Sequence, residues 1–173
     1  VDGTIRAASG MVKLTTQIPT TLTVGGVNPF DGAVTLGAHA AILTQGTWTN
    51  ERPGKNETPY IGPIFSQGGQ VSVTAQGDIN LMAGSRIDVS GGGLYRADHR
   101  LIPGDAGSIT LLAANDIGGK GSTLKVDGEM SGYALQGGRS GTLRLASSEV
   151  ILDDGGNPVR PGGGTDPQAL ILN

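Results

Sequence analysis

The sequence predicts an all-β fold: a right-handed parallel β-helix, a solenoid of about five turns with long loops on one side. Three observations carry that prediction. Glycine supplies 31 of the 173 residues and proline nine, against an average glycine usage of about 7%. Each interior glycine costs a helix roughly 1 kcal/mol relative to alanine, and the longest stretch free of both residues is 142–154. Helical bundles and Rossmann-like domains are therefore excluded. The apolar residues, 36% of the chain, fall in alternating runs such as Val71-Ser72-Val73-Thr74-Ala75, Ile79-Asn80-Leu81 and Ile87-Asp88-Val89. That period of two marks half-buried strands bounded by turns. Finally, the runs recur at intervals typical of solenoids.

The first landmark of the repeat is Gly-x-apolar-x-apolar, which opens at Gly10, Gly32, Gly69, Gly107 and Gly141. The intervals are roughly 22, 37, 38 and 34 residues. A second landmark follows at nearly constant offset: Gly77-Asp78-Ile79, Asn115-Asp116-Ile117 and Ser148-Glu149-Val150. A third is Val89-Ser90-Gly91, echoed by Val126-Asp127-Gly128 and Val1-Asp2-Gly3. Residues 69–91 thus read as one turn of three short strands and two tight corners. Copies of such a unit bury their apolar side only by stacking, strand on strand at about 4.8 Å. Right-handedness follows from the rule for crossovers between parallel strands. The expected inward positions are Val12, Leu14, Val34, Leu36, Val71, Val73, Ile79, Leu81, Ile87 and Val89, followed by Ile109, Leu111, Leu124, Val126, Leu143 and Leu145. Ala38, Ala75 and Ala113 are expected at matching strand ends. The competing architecture is a sandwich of short antiparallel strands, which gives no reason for landmarks repeated in register.

Residues 1–173 read as one segment excerpted from a longer chain, since neither Val1-Asp2-Gly3 nor Ala169-Leu170-Ile171-Leu172 resembles a natural terminus. No capping helix is expected over 1–10 or 160–173, and Ala169–Leu172 is expected to pair as a strand. Formal charge is −3, which leaves no basic footprint for nucleic acid. No apolar run is long enough for a membrane-spanning helix.

Gly46-Thr47-Trp48-Thr49-Asn50, Gly68-Gly69-Gln70-Val71-Ser72-Val73, Gly77-Asp78-Ile79-Asn80-Leu81 and Gly84-Ser85-Arg86-Ile87-Asp88-Val89-Ser90-Gly91-Gly92 together resemble the filamentous haemagglutinin family. The likeness covers roughly residues 30–150, and Ile87–Gly92 is its most specific part. Members are very large exoproteins of Gram-negative bacteria exported by two-partner secretion. The resemblance implies an internal shaft segment, a secreted or outer-surface location, and roles in adhesion, biofilm or contact-dependent competition. It also implies an outer-membrane secretion partner. The absence of cysteine agrees with passage across the periplasm unfolded.

Chemical motifs are sparse. His39 and His99 stand in unrelated contexts with no cysteine to complete a zinc site. No nucleophile elbow occurs. Gly118-Gly119-Lys120-Gly121-Ser122-Thr123 falls short of a phosphate loop because Gly121 separates the lysine from the hydroxyl residue. No cofactor is therefore expected. Stacked corners would align Asp78, Asp116 and Glu149, a carboxylate ladder that a hard cation could bridge; the alternative is plain turn chemistry, in which Asp bonds its own backbone.

Two functions remain in contention: a structural and binding module, or a carbohydrate-active enzyme, since polysaccharide lyases and tailspike glycosidases also use β-helices. Fold alone does not decide. An enzyme needs carboxylates converging on one groove, and here the acids are scattered, which favours the non-enzyme.

Loops at 17–31, 46–68, 92–106 and 129–140 interrupt the repeat. They are expected to leave near one corner. They hold all six aromatic residues: Phe30, Trp48, Tyr60, Phe65, Tyr95 and Tyr133. Trp48 and Phe65 are expected to staple their loop to the flank. Tyr60, Tyr95 and Arg100 are expected to stay partly exposed on one face and contact a glycan, a host or bacterial surface or another segment, because aromatic and arginine side chains are enriched at binding hot spots.

Overall fold

The computed structural model describes residues 1–18, 31–52, 54, 62–114, 121–152 and 168–172. Every regular element among them is a β-strand. One sheet holds β2 (Met11–Thr15), β6 (Gln70–Ala75), β11 (Ser108–Ala113) and β14 (Thr142–Ser147), all parallel, with β16 (Gln168–Leu172) antiparallel on β14. A second parallel sheet holds β3 (Val34–Leu36), β7 (Ile79–Leu81), β12 (Thr123–Val126) and β15 (Glu149–Leu152). The third, also parallel, holds β1 (Thr4–Arg6), β4 (Ala41–Leu43), β8 (Arg86–Asp88) and β13 (Glu129–Ser131). The chain visits the three sheets in the same order three times, then enters the first two again.

Register follows the apolar period. In the first sheet Val12, Val71, Ile109 and Leu143 lie side by side, as do Leu14, Val73, Leu111 and Leu145. In the second, Val34, Ile79, Leu124 and Val150 form one column and Leu36, Leu81, Val126 and Leu152 another. The third contributes Ile5, Ile42, Ile87 and Met130. All these residues belong to, or pack against, one aliphatic core. Each fully buried Leu, Ile or Val stabilises the stack by about 1.5–3 kcal/mol. All sixteen expected inward positions are in this core or packed against it.

The opening glycines have a steric cause. Gly10, Gly69, Gly107 and Gly141 follow one another up the first sheet, linked by Gln70 N–H to Gly10 O (2.8 Å), Ser108 N–H to Gly69 O (3.1 Å) and Thr142 N–H to Gly107 O (3.1 Å). A methyl group at Gly69 would collide with the Gly10 carbonyl oxygen, and one at Gly107 with that of Gly69.

Gly32 does not belong to this column, which corrects the expectation of five opening strands to four. Val34 pairs with Ile79 in the second sheet, and Gly32 sits in a turn with φ +64°. The same five-residue string thus arises from two needs: close backbone stacking at four sites, and a left-handed turn at the fifth.

Three other expectations shift. Val126 lies beside Leu81 at the end of the second sheet, so it is no counterpart of Val89, which follows β8 in the third. Ala75 and Ala113 are paired and buried, but Ala38 is exposed in the turn before β4. The long insertions also use more than one corner. Segments 46–68 and 92–106 connect the third sheet to the first, whereas 17–31 connects the first to the second; residues 129–131 form β13 and are no loop. Residues 1–10 hold β1 and turns, and β16 pairs as a strand.

Candidate interaction surface

Two of the insertions build a fourth, small sheet beside the stack. β5 (Trp48–Asn50) runs parallel to β9 (Gly93–Tyr95), which forms an antiparallel hairpin with β10 (Leu101–Pro103). Its roots are backbone bonds: Thr47 N–H to Phe65 O (2.6 Å), Gly92 N–H to Ser66 O (2.7 Å) and Gly104 N–H to Gly92 O (2.9 Å). Among the described residues these backbone bonds, and not Trp48 or Phe65, tie the loop down. Trp48 and Phe65 are consequently 62% and 46% exposed, against the expectation that they anchor it.

At the hairpin tip His99 adopts φ +66°, and its amide donates to Arg96 O at 3.1 Å. The Asp98 carboxylate accepts the Arg100 amide at 3.2 Å, the local bond that makes Asp a turn residue. Tyr95 is half-buried, its ring edge-on to His99 with centroids 6.4 Å apart. Arg52 Nη1 lies 2.9 Å from His99 Nδ1. Arg100 is exposed. The tip therefore presents the edge of Tyr95 and the guanidinium of Arg100, while Tyr60 lies outside the described residues.

Behind the hairpin a bidentate pair fixes the return to the first sheet. Asp105 accepts the Arg139 amide at 2.9 Å and Arg139 Nε at 3.0 Å, with Nη2 also 2.9 Å away. The backbone bond first, and the guanidinium second, hold the Asp105 carboxyl below its ordinary value of 3.8.

The carboxylate ladder does not form in the register expected. Thr123 is the strand partner of Glu149, and its amide donates to Asp78 Oδ1 at 2.8 Å. Thr123 thus stands where Asp116 was expected between Asp78 and Glu149; Asp116 itself lies outside the described residues. Leu124 is the strand partner of Ile79, so the shared Asp-Ile string does not set the register. Among the described residues no three His, Asp or Glu side chains gather as metal ligands.

A cleft of about 470 Å³ opens between the outer face of the third sheet and the base of the fourth. Arg6, Leu43 and Asp88 are outward-facing neighbours along one row of its floor. Gln45, Ser90 and Tyr133 continue the floor beyond the strand ends, and Trp48 forms the wall. The indole lies over Gly93, where a methyl group would come within 2.9 Å of the ring. Trp48 and Tyr133 are 62% and 65% exposed. Asp88 is 4% exposed; its Oδ2 pairs with Arg86 Nη2 at 2.7 Å and its Oδ1 accepts the Ser90 amide at 3.0 Å. Ser90 Oγ and Gln45 Oε1 are covered and have no hydrogen-bond partner. The sequence gives no local sign of this cleft, since its two aromatic residues are far apart in the chain and meet only through stacking.

No protein-family model, no curated protein and no solved structure matches the chain.

Proposed function

We propose that the three parallel sheets are the faces of a right-handed parallel β-helix, and that the chain is a shaft segment of a secreted bacterial surface adhesin. The observation that carries this reading is the repeated visiting order of the sheets around one aliphatic core. Such a stack gains stability turn by turn and makes a rigid rod. Right-handed crossovers are the strongly preferred hand. The filamentous haemagglutinin-like motif Ile87–Gly92 supports the reading because each position has a physical job. Ile87 and Val89 enter the core. Asp88 closes the turn onto Ser90. A methyl group on Gly91 would strike the Gly104 carbonyl oxygen, and one on Gly92 that of Thr47.

On that rod the β9–β10 hairpin, with Tyr95 and Arg100, is the contact surface, since loops on rigid scaffolds carry binding. Export would use an outer-membrane partner, and the target is a glycan or a cell surface. Display of the chain on a non-adherent bacterium should confer adherence or biofilm formation, reduced severalfold by Tyr95→Ala with Arg100→Ala. Adherence equal to that of the bare host would overturn the adhesin reading. Turnover of an oligosaccharide by the purified chain would replace it with the enzyme reading.

A further inference from the structure

The cleft between Trp48 and Tyr133 has a composition that one ligand class matches. Two aromatic side chains are held open to solvent, although burial of either ring would be favourable. Between them polar groups are interspersed with the apolar side chains of Leu43 and Leu135. Ser90 Oγ and Gln45 Oε1 are covered but unpaired, and a covered polar atom is destabilising until a partner arrives. The Asp88 charge is already balanced by Arg86. Arg6 lies at one end of the floor as a donor with no ion-pair partner among the described residues.

A ligand suited to this surface needs flat patches of C–H for the rings and hydroxyls for the floor. It should also extend across the strands, because the floor crosses β1, β4 and β8 and continues to Tyr133. Neighbouring strands are about 4.8 Å apart, so the row Arg6, Leu43 and Asp88 advances in steps close to that of one ring in an extended sugar chain. A pyranose presents C–H groups on its faces and hydroxyls at its rim. The cleft volume falls within the range of about 300–1,000 Å³ usual for small-ligand sites.

We propose that this cleft binds a short linear segment of saccharide, lying along the stacking direction, with sugar rings on Trp48 and Tyr133 and hydroxyls on Ser90, Gln45 and Arg6. Small rotations of the Ser90 hydroxyl and the Gln45 amide bring their unpaired oxygens to the incoming groups. The site binds and does not cleave: hydrolysis by the usual route needs two carboxyl groups flanking the bond, and the lining supplies one, Asp88, already engaged. Arg6 donates equally to a hydroxyl or a carboxylate, so neutral and acidic sugars share the same chemistry. The inference rests on the chain being a binding module, but it concerns a different surface from the β9–β10 hairpin.

Trp48 is the single tryptophan of the chain, so its fluorescence reports this cleft directly. Chitotriose, cellotriose and trigalacturonate are titrated separately into the purified chain. At least one should give a saturable change in Trp48 emission. That affinity should fall about tenfold in Tyr133→Ala, several-fold in Ser90→Ala, and remain unchanged in Lys13→Ala, on the exposed face of β2. Tyr133 is exposed, so its replacement leaves the core intact, and circular dichroism checks that it does. No saturable change with any of the three sugars at about 10 mM, or full affinity in Tyr133→Ala, would overturn the proposal. Adherence of the displayed chain is scored separately. Adherence without sugar binding would sink the cleft and spare the adhesin reading; sugar binding without adherence would do the reverse.

Discussion

Strands β6 and β11 each bury alternate side chains completely or nearly so, whereas β5, β9 and β10 bury at most one residue apiece. Both regions are parallel for part of their extent, and they are joined by the same backbone. They differ in what fixes their register. In the stacked sheets a one-residue slip would turn every aliphatic column outward. In the fourth sheet position comes from backbone bonds at its base and from turn chemistry at its tip. Most side chains there carry little of the packing, and Trp48, Arg100 and Leu101 are exposed. The same freedom places the fourth sheet at the low end of local stability.

The sharpest way to break this contrast is to place one charge in each region. Leu111 is wholly buried and Leu101 is 49% exposed. Leu111→Asp should abolish the cooperative thermal transition, since an unpaired buried charge exceeds the total stability margin of many domains. Leu101→Asp should change stability by no more than about 0.5 kcal/mol. An unaltered transition in Leu111→Asp would mean that the aliphatic columns are not the core.

A second pair of variants separates glycines that stack from glycines that merely turn up in the chain. Gly107→Ala forces a methyl group into the Gly69 carbonyl oxygen, while nothing lies within 4 Å of a methyl group at Gly3. Denaturant midpoints should show a loss of about 2–4 kcal/mol for the first and a change under about 0.5 kcal/mol for the second.

A third test, smaller in effect, uses acid. The Asp105 carboxyl titrates below its ordinary value of 3.8 because of its bonds to Arg139. Its contribution is therefore complete above the unfolded-state value and disappears as pH falls through the lower folded-state value. The protection factor of the Ala106 amide, whose N–H donates to Arg139 O at 2.9 Å, should fall across that interval while those in β6 and β11 hold. Asp105→Asn should make the Ala106 protection factor insensitive to pH there. An equal fall in β11 would show that the latch and the stack do not behave as separate units.

The stacked columns were legible because burial of alternate residues is written in the chain itself: Val71 and Val73 announce a strand wherever it ends up. What the alternation does not state is which sheet a strand joins. Val34 and Leu36 have the pattern of Val12 and Leu14, yet they lie in the next sheet. The fourth sheet was hidden because Gly93–Tyr95 and Leu101–Pro103 are too short for a period to develop, and one contains proline. Residue type alone marks Tyr95 and Arg100 as surface candidates in the 92–106 insertion, but it gives no sign of the hairpin that carries them. Tyr133 was flagged only as one aromatic among six; its pairing with Trp48 across a cleft depends on strands stacking between them, and no local string encodes that.

The spacing of the opening glycines has one more consequence. Successive strands of the first sheet begin roughly 59, 38 and 34 residues apart, although each closes the same circuit of three sheets. Loop-closure entropy grows only with the logarithm of length, so the longest circuit costs about 0.5 kcal/mol more than the shortest. Insertions at the corners are thus nearly neutral for the scaffold. An evolving chain can lengthen, exchange or delete the hairpin beside the cleft while the three parallel sheets beneath it keep their register.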